Sequence, residues 1–123
     1  MSEGIDRVPT PEQFDRQARA ARARASRLHE LAATIRQTAA PLDTALDEVA
    51  RRHSDQVWLS PAAARSRSTL RVDQWRVDET KRLSDVMASR LRSQAHDQEY
   101  IARRSAAEAE AARRRAERDS EGE

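Results

Sequence analysis

The fold of this 123-residue chain follows mainly from residues 10–49, TPEQFDRQARAARARASRLHELAATIRQTAAPLDTALDEV. The apolar side chains of this stretch recur alternately four and three residues apart, the spacing of an amphipathic helix with a coiled-coil seam. Thr10 is a candidate N-cap, Pro11 suits the first helical position, and Gln13 completes a capping box. The seam comprises Phe14, Ala18, Ala21, Ala25, Leu28, Ala32, Ile35, Ala39, Leu42, Leu46 and Val49. We therefore predict a helix over residues 11–55.

Pro41 interrupts this helix, because a proline has no N–H to donate and its ring clashes with the preceding turn. The seam keeps its register across the proline, from Ala39 to Leu42. We therefore expect a kink near Pro41 rather than a break. Arg51, Arg52 and His53 then place positive charge where the end of a helix favours it.

The next segment predicts a turn over residues 56–60 and a second helix over 61–104. Ser60 is a suitable N-cap before Pro61, and no glycine or proline follows until Gly122. At about 100° per residue, the apolar side chains of this helix fall into two separate seams. The first, expected to pack against the first helix as the core of a hairpin, contains Leu70, Val77, Met87 and Leu91, with Ala95 and Ala102. The second contains Val72, Trp75, Leu83 and Val86, with Ile101.

A lone hairpin can bury only one of these seams. The sequence therefore predicts an all-α, antiparallel two-helix hairpin that forms half of a dimeric four-helix bundle, with Val72, Trp75, Leu83 and Val86 at the dimer interface. Residues 1–10 form an N-terminal tail and 11–104 the hairpin. Residues 105–123 are expected to be a charged C-terminal helical extension or a disordered tail, because they offer no side chain larger than alanine to bury.

Composition excludes several functional classes. The chain has no cysteine, and its three histidines, His29, His53 and His96, show no metal-ligand spacing. No nucleophile elbow and no glycine-rich phosphate loop is present, so we expect neither an enzyme nor a bound cofactor or metal. No run approaches the roughly 18 apolar residues of a membrane span. The acidic start of the chain lacks a Sec signal pattern, which predicts a cytoplasmic protein or one secreted without a signal peptide.

The residues Trp58-Leu59-Ser60, followed by Pro61-Ala62-Ala63, resemble the Trp-x-Gly turn of the WXG family of helical hairpins. That family is tied to type VII secretion in actinobacteria and firmicutes. The resemblance implies a secretion substrate, partner or adaptor that pairs with itself or with a similar hairpin, and a secretion-machinery component as a further partner. It identifies Trp58, Ser60 and Pro61 as the turn motif and Tyr100 as a candidate recognition residue of the tail. The family's export signal places an acid four residues after this tyrosine, where the chain has Arg104.

A second hypothesis comes from the arginines. The chain has 22 arginines and a single lysine, Lys81, but its net charge is only +2. Clustered arginines can bind phosphates, so the alternative function is that of an arginine-rich coiled-coil protein that binds nucleic acid or scaffolds an assembly. The acid-free run consists of Arg16, Arg19, Arg22, Arg24 and Arg27. No aromatic side chains interleave with it, and acids nearly match the bases overall, which favours a solvated helix face and makes nucleic acid the less favoured partner.

Overall fold

The computed structural model describes residues 8–47, 51 and 61–122, and within these the chain is an all-α helical hairpin. Helix α1 spans Pro11–Ala39, a 3-10 helix spans Ala40–Asp43, and helix α2 spans Pro61–Glu121. None of the described residues lies in a strand. The predicted turn residues Trp58 and Ser60 lie outside the described residues, whereas Pro61 is the first residue of α2.

The capping box at the start of α1 is confirmed. The backbone N–H of Gln13 donates to Thr10 Oγ1 at 3.1 Å, and the backbone N–H of Thr10 donates to Gln13 Oε1 at 2.7 Å. The N–H of Phe14 then donates to the carbonyl of Thr10 at 3.0 Å. The two bonds of the capping box satisfy N–H groups that the first helical turn leaves without intrahelical partners, and the bond from Phe14 is the first intrahelical one.

The expectation of one kinked α-helix over residues 11–55 needs correction, because α1 ends at Ala39 and a four-residue 3-10 helix follows. Pro41 accounts for the change: it cannot donate to residue 37, and the first turn of a new helical segment tolerates it. The N–H of Thr44 donates to the carbonyl of Pro41 at 3.4 Å, and a turn occupies residues 44–46. Leu42 and Leu46 remain half-buried beyond the proline, so the seam continues although the α-helix does not.

Packing divides the hairpin into two units. In the first, residues 8–30 pair with 92–122, and residue numbers rise along α1 as they fall along α2: Asp15 meets Arg113, and His29 meets Glu99. The two arms are therefore antiparallel. The buried side chains of this unit are Phe14, Ala18, Ala21, Ala25, Ala95, Ala102, Ser105 and Ala109. Because most of these are alanine, the helix axes can approach closely along the contact.

The second unit contains residues 31–91, and its described core is thinner. Ala32 and Ala88 are buried, and a half-buried apolar set surrounds them. The predicted core residues Ile35, Leu42, Leu46, Leu70, Val77 and Leu91 belong to that half-buried set. An ion pair of 3.0 Å between Lys81 Nζ and Asp43 ties α2 to the 3-10 helix. Among the other predicted core residues, Leu28 is half-buried in the first unit and Val49 lies outside the described residues.

Two predictions for α2 need correction, the burial of Met87 and the role of residues 105–123. Met87 is 54% exposed rather than in the core, because the seam passes through its neighbour Ala88, about 100° around the helix. The helical alternative predicted for residues 105–123 agrees with α2, which runs to Glu121, but these residues are not only an extension beyond the hairpin, because Ser105 and Ala109 are buried. Alanine side chains are large enough to form a buried seam: Ala88, Ala95, Ala102 and Ala109 are all buried and recur every seven residues along α2.

Candidate protein-interaction surface

The outer face of α2 in the second unit carries a stripe of apolar side chains, which we call the α2 stripe: Val72, Trp75, Leu83 and Val86. Trp75 is 66% exposed, and Val72 and Leu83 are each 49% exposed. Val86 is half-buried. At 1.5 Å per residue the stripe is roughly 21 Å long. Large apolar side chains grouped on one exposed face mark interaction sites more often than isolated ones do.

A charged pair lies in the middle of the α2 stripe. Arg82 donates to Glu79 through two nitrogens, Nε at 3.1 Å and Nη2 at 2.5 Å. This hydrogen bonding lowers the pKa of Glu79 and raises that of Arg82. Arg76 lies on the other side of Glu79, one turn towards the N-terminus. The stripe therefore has an apolar patch at each end and a charged centre with both signs.

The opposite face of α2 carries the contacts with the rest of its unit. Val77 and Lys81 line a groove of about 180 Å³ together with Leu42 and Leu46. Asp43 holds the Lys81 ammonium there and raises the pKa of that lysine through a hydrogen bond. The hairpin core and the α2 stripe are thus on opposite faces of one helix, as the two-seam pattern predicts.

Tyr100, the candidate recognition residue of the tail, lies in the first unit and is 58% exposed. It belongs to a regular stretch of α2 rather than to a segment after the helix. Arg104, at the position where the family motif has an acid, pairs with Glu108 at 3.5 Å one turn further on. The exposed Ile101 is its neighbour.

One polar cluster was not anticipated from the sequence. His29 Nε2 donates to Glu99 Oε1 at 2.7 Å, and His96 Nδ1 lies 3.4 Å from Glu99 Oε2. The two imidazole rings stand edge to face, 83° apart, with centroids separated by 5.8 Å. The hydrogen bond from His29 is the main cause of a lowered pKa at Glu99. Only the pairing register of the two helices brings His29 to this position, so spacing within either helix could not reveal it.

Two further kinds of feature are absent from the described part of the chain. No group of three or more histidine, aspartate or glutamate side chains there is arranged to hold a metal ion. None of its helices combines the length and the apolar character that crossing a bilayer requires.

The run of arginines on α1 contributes partly to the fold of the first unit. Arg24 of this run donates from Nε to Gln98 Oε1 at 2.7 Å across the hairpin. In the opposite direction, Arg113 of α2 pairs with Asp15 of α1. Arg16, Arg19, Arg22 and Arg27 are exposed. Glu12 and Asp15 share a shallow groove of about 330 Å³ with three of the arginines, so acids interrupt the positive surface at its N-terminal end.

Comparison with protein-family models, with curated proteins and with solved structures finds no match to this chain. The functional assignment therefore depends on the residues and on the geometry described above.

Proposed function

We propose that this protein is a non-enzymatic helical-hairpin interaction module that pairs with another helical hairpin through the α2 stripe. The exposure of Trp75 opposite the hairpin core is the observation that carries the proposal. Tryptophan is enriched at interface hot spots, where a large ring is desolvated at the centre of a contact. An indole ring exposed to water does not stabilise the fold, whereas a partner that covers the ring removes its apolar surface from water.

We further propose that the protein acts in type VII secretion, as a substrate, partner or adaptor. The support is the resemblance of residues 58–63 to the WXG turn together with the helical hairpin, which is the shape that the family shares. The mechanism is binding: burial of the α2 stripe joins two hairpins, and the exposed side chains of Tyr100 and Ile101 offer a further surface to the machinery. Arg104 favours the role of partner or adaptor over that of an exported substrate, because it replaces the acid of the export motif.

An export assay tests this role. The tagged chain would be expressed in an actinobacterial strain with an active type VII system and in a matched strain without its secretion ATPase. Appearance in the medium only with the ATPase identifies a substrate, and retention with stable association to a secreted hairpin identifies a partner. If neither export nor association with a helical hairpin is detected, the proposal is refuted. An Arg104→Glu variant serves as the comparison, since it restores the family's acid.

The exposed arginines of α1 support the second candidate function, nucleic-acid binding. Binding through phosphates depends steeply on salt, because each neutralised phosphate releases counterions. Titration of labelled duplex DNA at 50 and 200 mM salt measures this directly. Tight binding that weakens by about a thousand-fold or more over that range would favour the arginine-rich scaffold over the hairpin-pairing module.

A further inference from the structure

The α2 stripe is arranged symmetrically about Glu79. Val72 and Val86 lie seven residues before and after it, and Trp75 and Leu83 lie four residues before and after it. At 100° per residue, the two valines are about 20° to either side of Glu79 and the other two side chains about 40° to either side. The apolar set therefore lies within an arc of about 80° and reads the same in both chain directions.

Charge follows the same symmetry. Arg76 and Arg82 lie three residues before and after Glu79, at the edges of the stripe. The guanidinium of Arg82 already holds the Glu79 carboxylate. When two such centres meet, each carboxylate is flanked by arginines from both copies. Two glutamates can then share an interface without facing each other unneutralised.

Such symmetry satisfies the geometric requirement of a two-fold dimer. In an isologous interface, residue i of one copy contacts residue j of the other, and j contacts i. An antiparallel copy of α2 with its two-fold axis at Glu79 places each Val72 against a Val86 and each Trp75 against a Leu83. The large indole then meets a mid-sized aliphatic side chain rather than a second indole, which suits close packing between helices.

We propose that the α2 stripe binds the same stripe of a second copy of this chain, antiparallel, with the two-fold axis at Glu79. This inference rests on the proposed function, in which the stripe joins two hairpins, and it deepens that function by specifying the partner and the register. A second copy fits because rotation about this two-fold axis brings the apolar ends of one stripe onto the apolar ends of the other, and one charged centre onto the other.

Disulfide trapping tests the register, and the absence of native cysteine makes every introduced thiol informative. A disulfide requires Cα atoms about 4.4–6.8 Å apart. Glu79→Cys lies on the axis and is expected to cross-link with itself. Val72→Cys and Val86→Cys are each about 21 Å from their own counterparts, so neither should cross-link alone. An equimolar mixture of those two variants should cross-link, in up to about half of the dimers.

Ser68→Cys lies on the same outer face of the second unit but roughly 33 Å from its counterpart in this arrangement, so it measures random collision. Circular dichroism checks that each variant keeps its helices; Glu79 and Val86 are half-buried and the other positions exposed, and none of them is in the hairpin core. Self-cross-linking of both Val72→Cys and Val86→Cys would indicate a parallel pair and overturn the inference.

Sedimentation of the same samples separates this inference from the proposed function. A dimer whose cross-links do not exceed the Ser68→Cys level would overturn the register while leaving hairpin pairing intact. A chain that stays monomeric would overturn the homodimer. In that case, if it also fails to bind any other helical hairpin, the proposed function fails as well.

Discussion

Replacement of Trp75 by alanine is expected to weaken self-association strongly. A tryptophan side chain buries up to about 250 Å², and 66% of this residue is exposed in the hairpin. Covering that fraction, about 165 Å², is worth roughly 4 kcal/mol at about 25 cal/mol per Å². Incomplete covering and loss of rotamer freedom reduce the value to about 2 kcal/mol per side chain.

Each dimer contains two copies of this residue, so the substitution costs about 4 kcal/mol and raises the dimer Kd about 10³-fold. Sedimentation velocity over a range of protein concentrations measures that constant. The matched control is Tyr100→Ala, which removes another exposed aromatic side chain from α2 at a position outside the stripe. A change in Kd of less than about threefold for Trp75→Ala, or an equal weakening by Tyr100→Ala, would show that Trp75 is not at the dimer interface.

Three further predictions concern the hairpin and its ends. Ala25→Leu forces three more carbons into a close helix contact, so the free energy of unfolding should fall by about 1–3 kcal/mol in thermal melts. The control is Ala23→Leu, on the exposed face of α1, and an equal loss there would count against close packing. The lowered pKa of Glu99 means that its carboxylate contributes stability above about pH 4.5, lost as pH falls through the folded pKa. Urea midpoints of Glu99→Gln should therefore fall less on acidification than those of the wild type, and parallel profiles would contradict the assignment. Trp58→Ala is expected to weaken self-association less than Trp75→Ala does, as measured by sedimentation. The reverse order would show that Trp58, and not Trp75, is the main interface residue.

The part of the fold that follows from local patterns could be predicted from the sequence. The capping box at Thr10 needs only two side chains three residues apart, and the seam of α1 needs only a repeat along one helix. The all-α class and the separation of two apolar seams on α2 follow in the same way. These features are fixed by the geometry of a single helix.

Features that depend on the second helix could not be predicted equally well. Whether Met87 or Ala88 faces the core depends on the register of the two arms, and helical angle alone favoured the larger side chain. The burial of Ala109 could not be predicted from side-chain size, since a segment without side chains larger than alanine offers little apolar surface to a core. In a close helix contact, small size is what permits burial. The pairing of His29 with Glu99 likewise needs the antiparallel register.

The end of the α-helix at Ala39 could not be predicted for a different reason. A continuous apolar seam across Pro41 indicated a continuous helix, but side-chain spacing does not report backbone hydrogen bonding. A 3-10 turn can preserve the direction of the seam while changing its hydrogen-bond pattern. Leu42 and Leu46 are half-buried, so the apolar pattern continues past the end of the α-helix at Ala39.

Sedimentation equilibrium of the full chain shows whether this hairpin pairs with a second copy of itself. We expect a reversible rise to twice the chain mass of 13.9 kDa with increasing concentration, with helicity unchanged. A fully helical chain that remains at 13.9 kDa up to high micromolar concentration would contradict self-pairing through the α2 stripe.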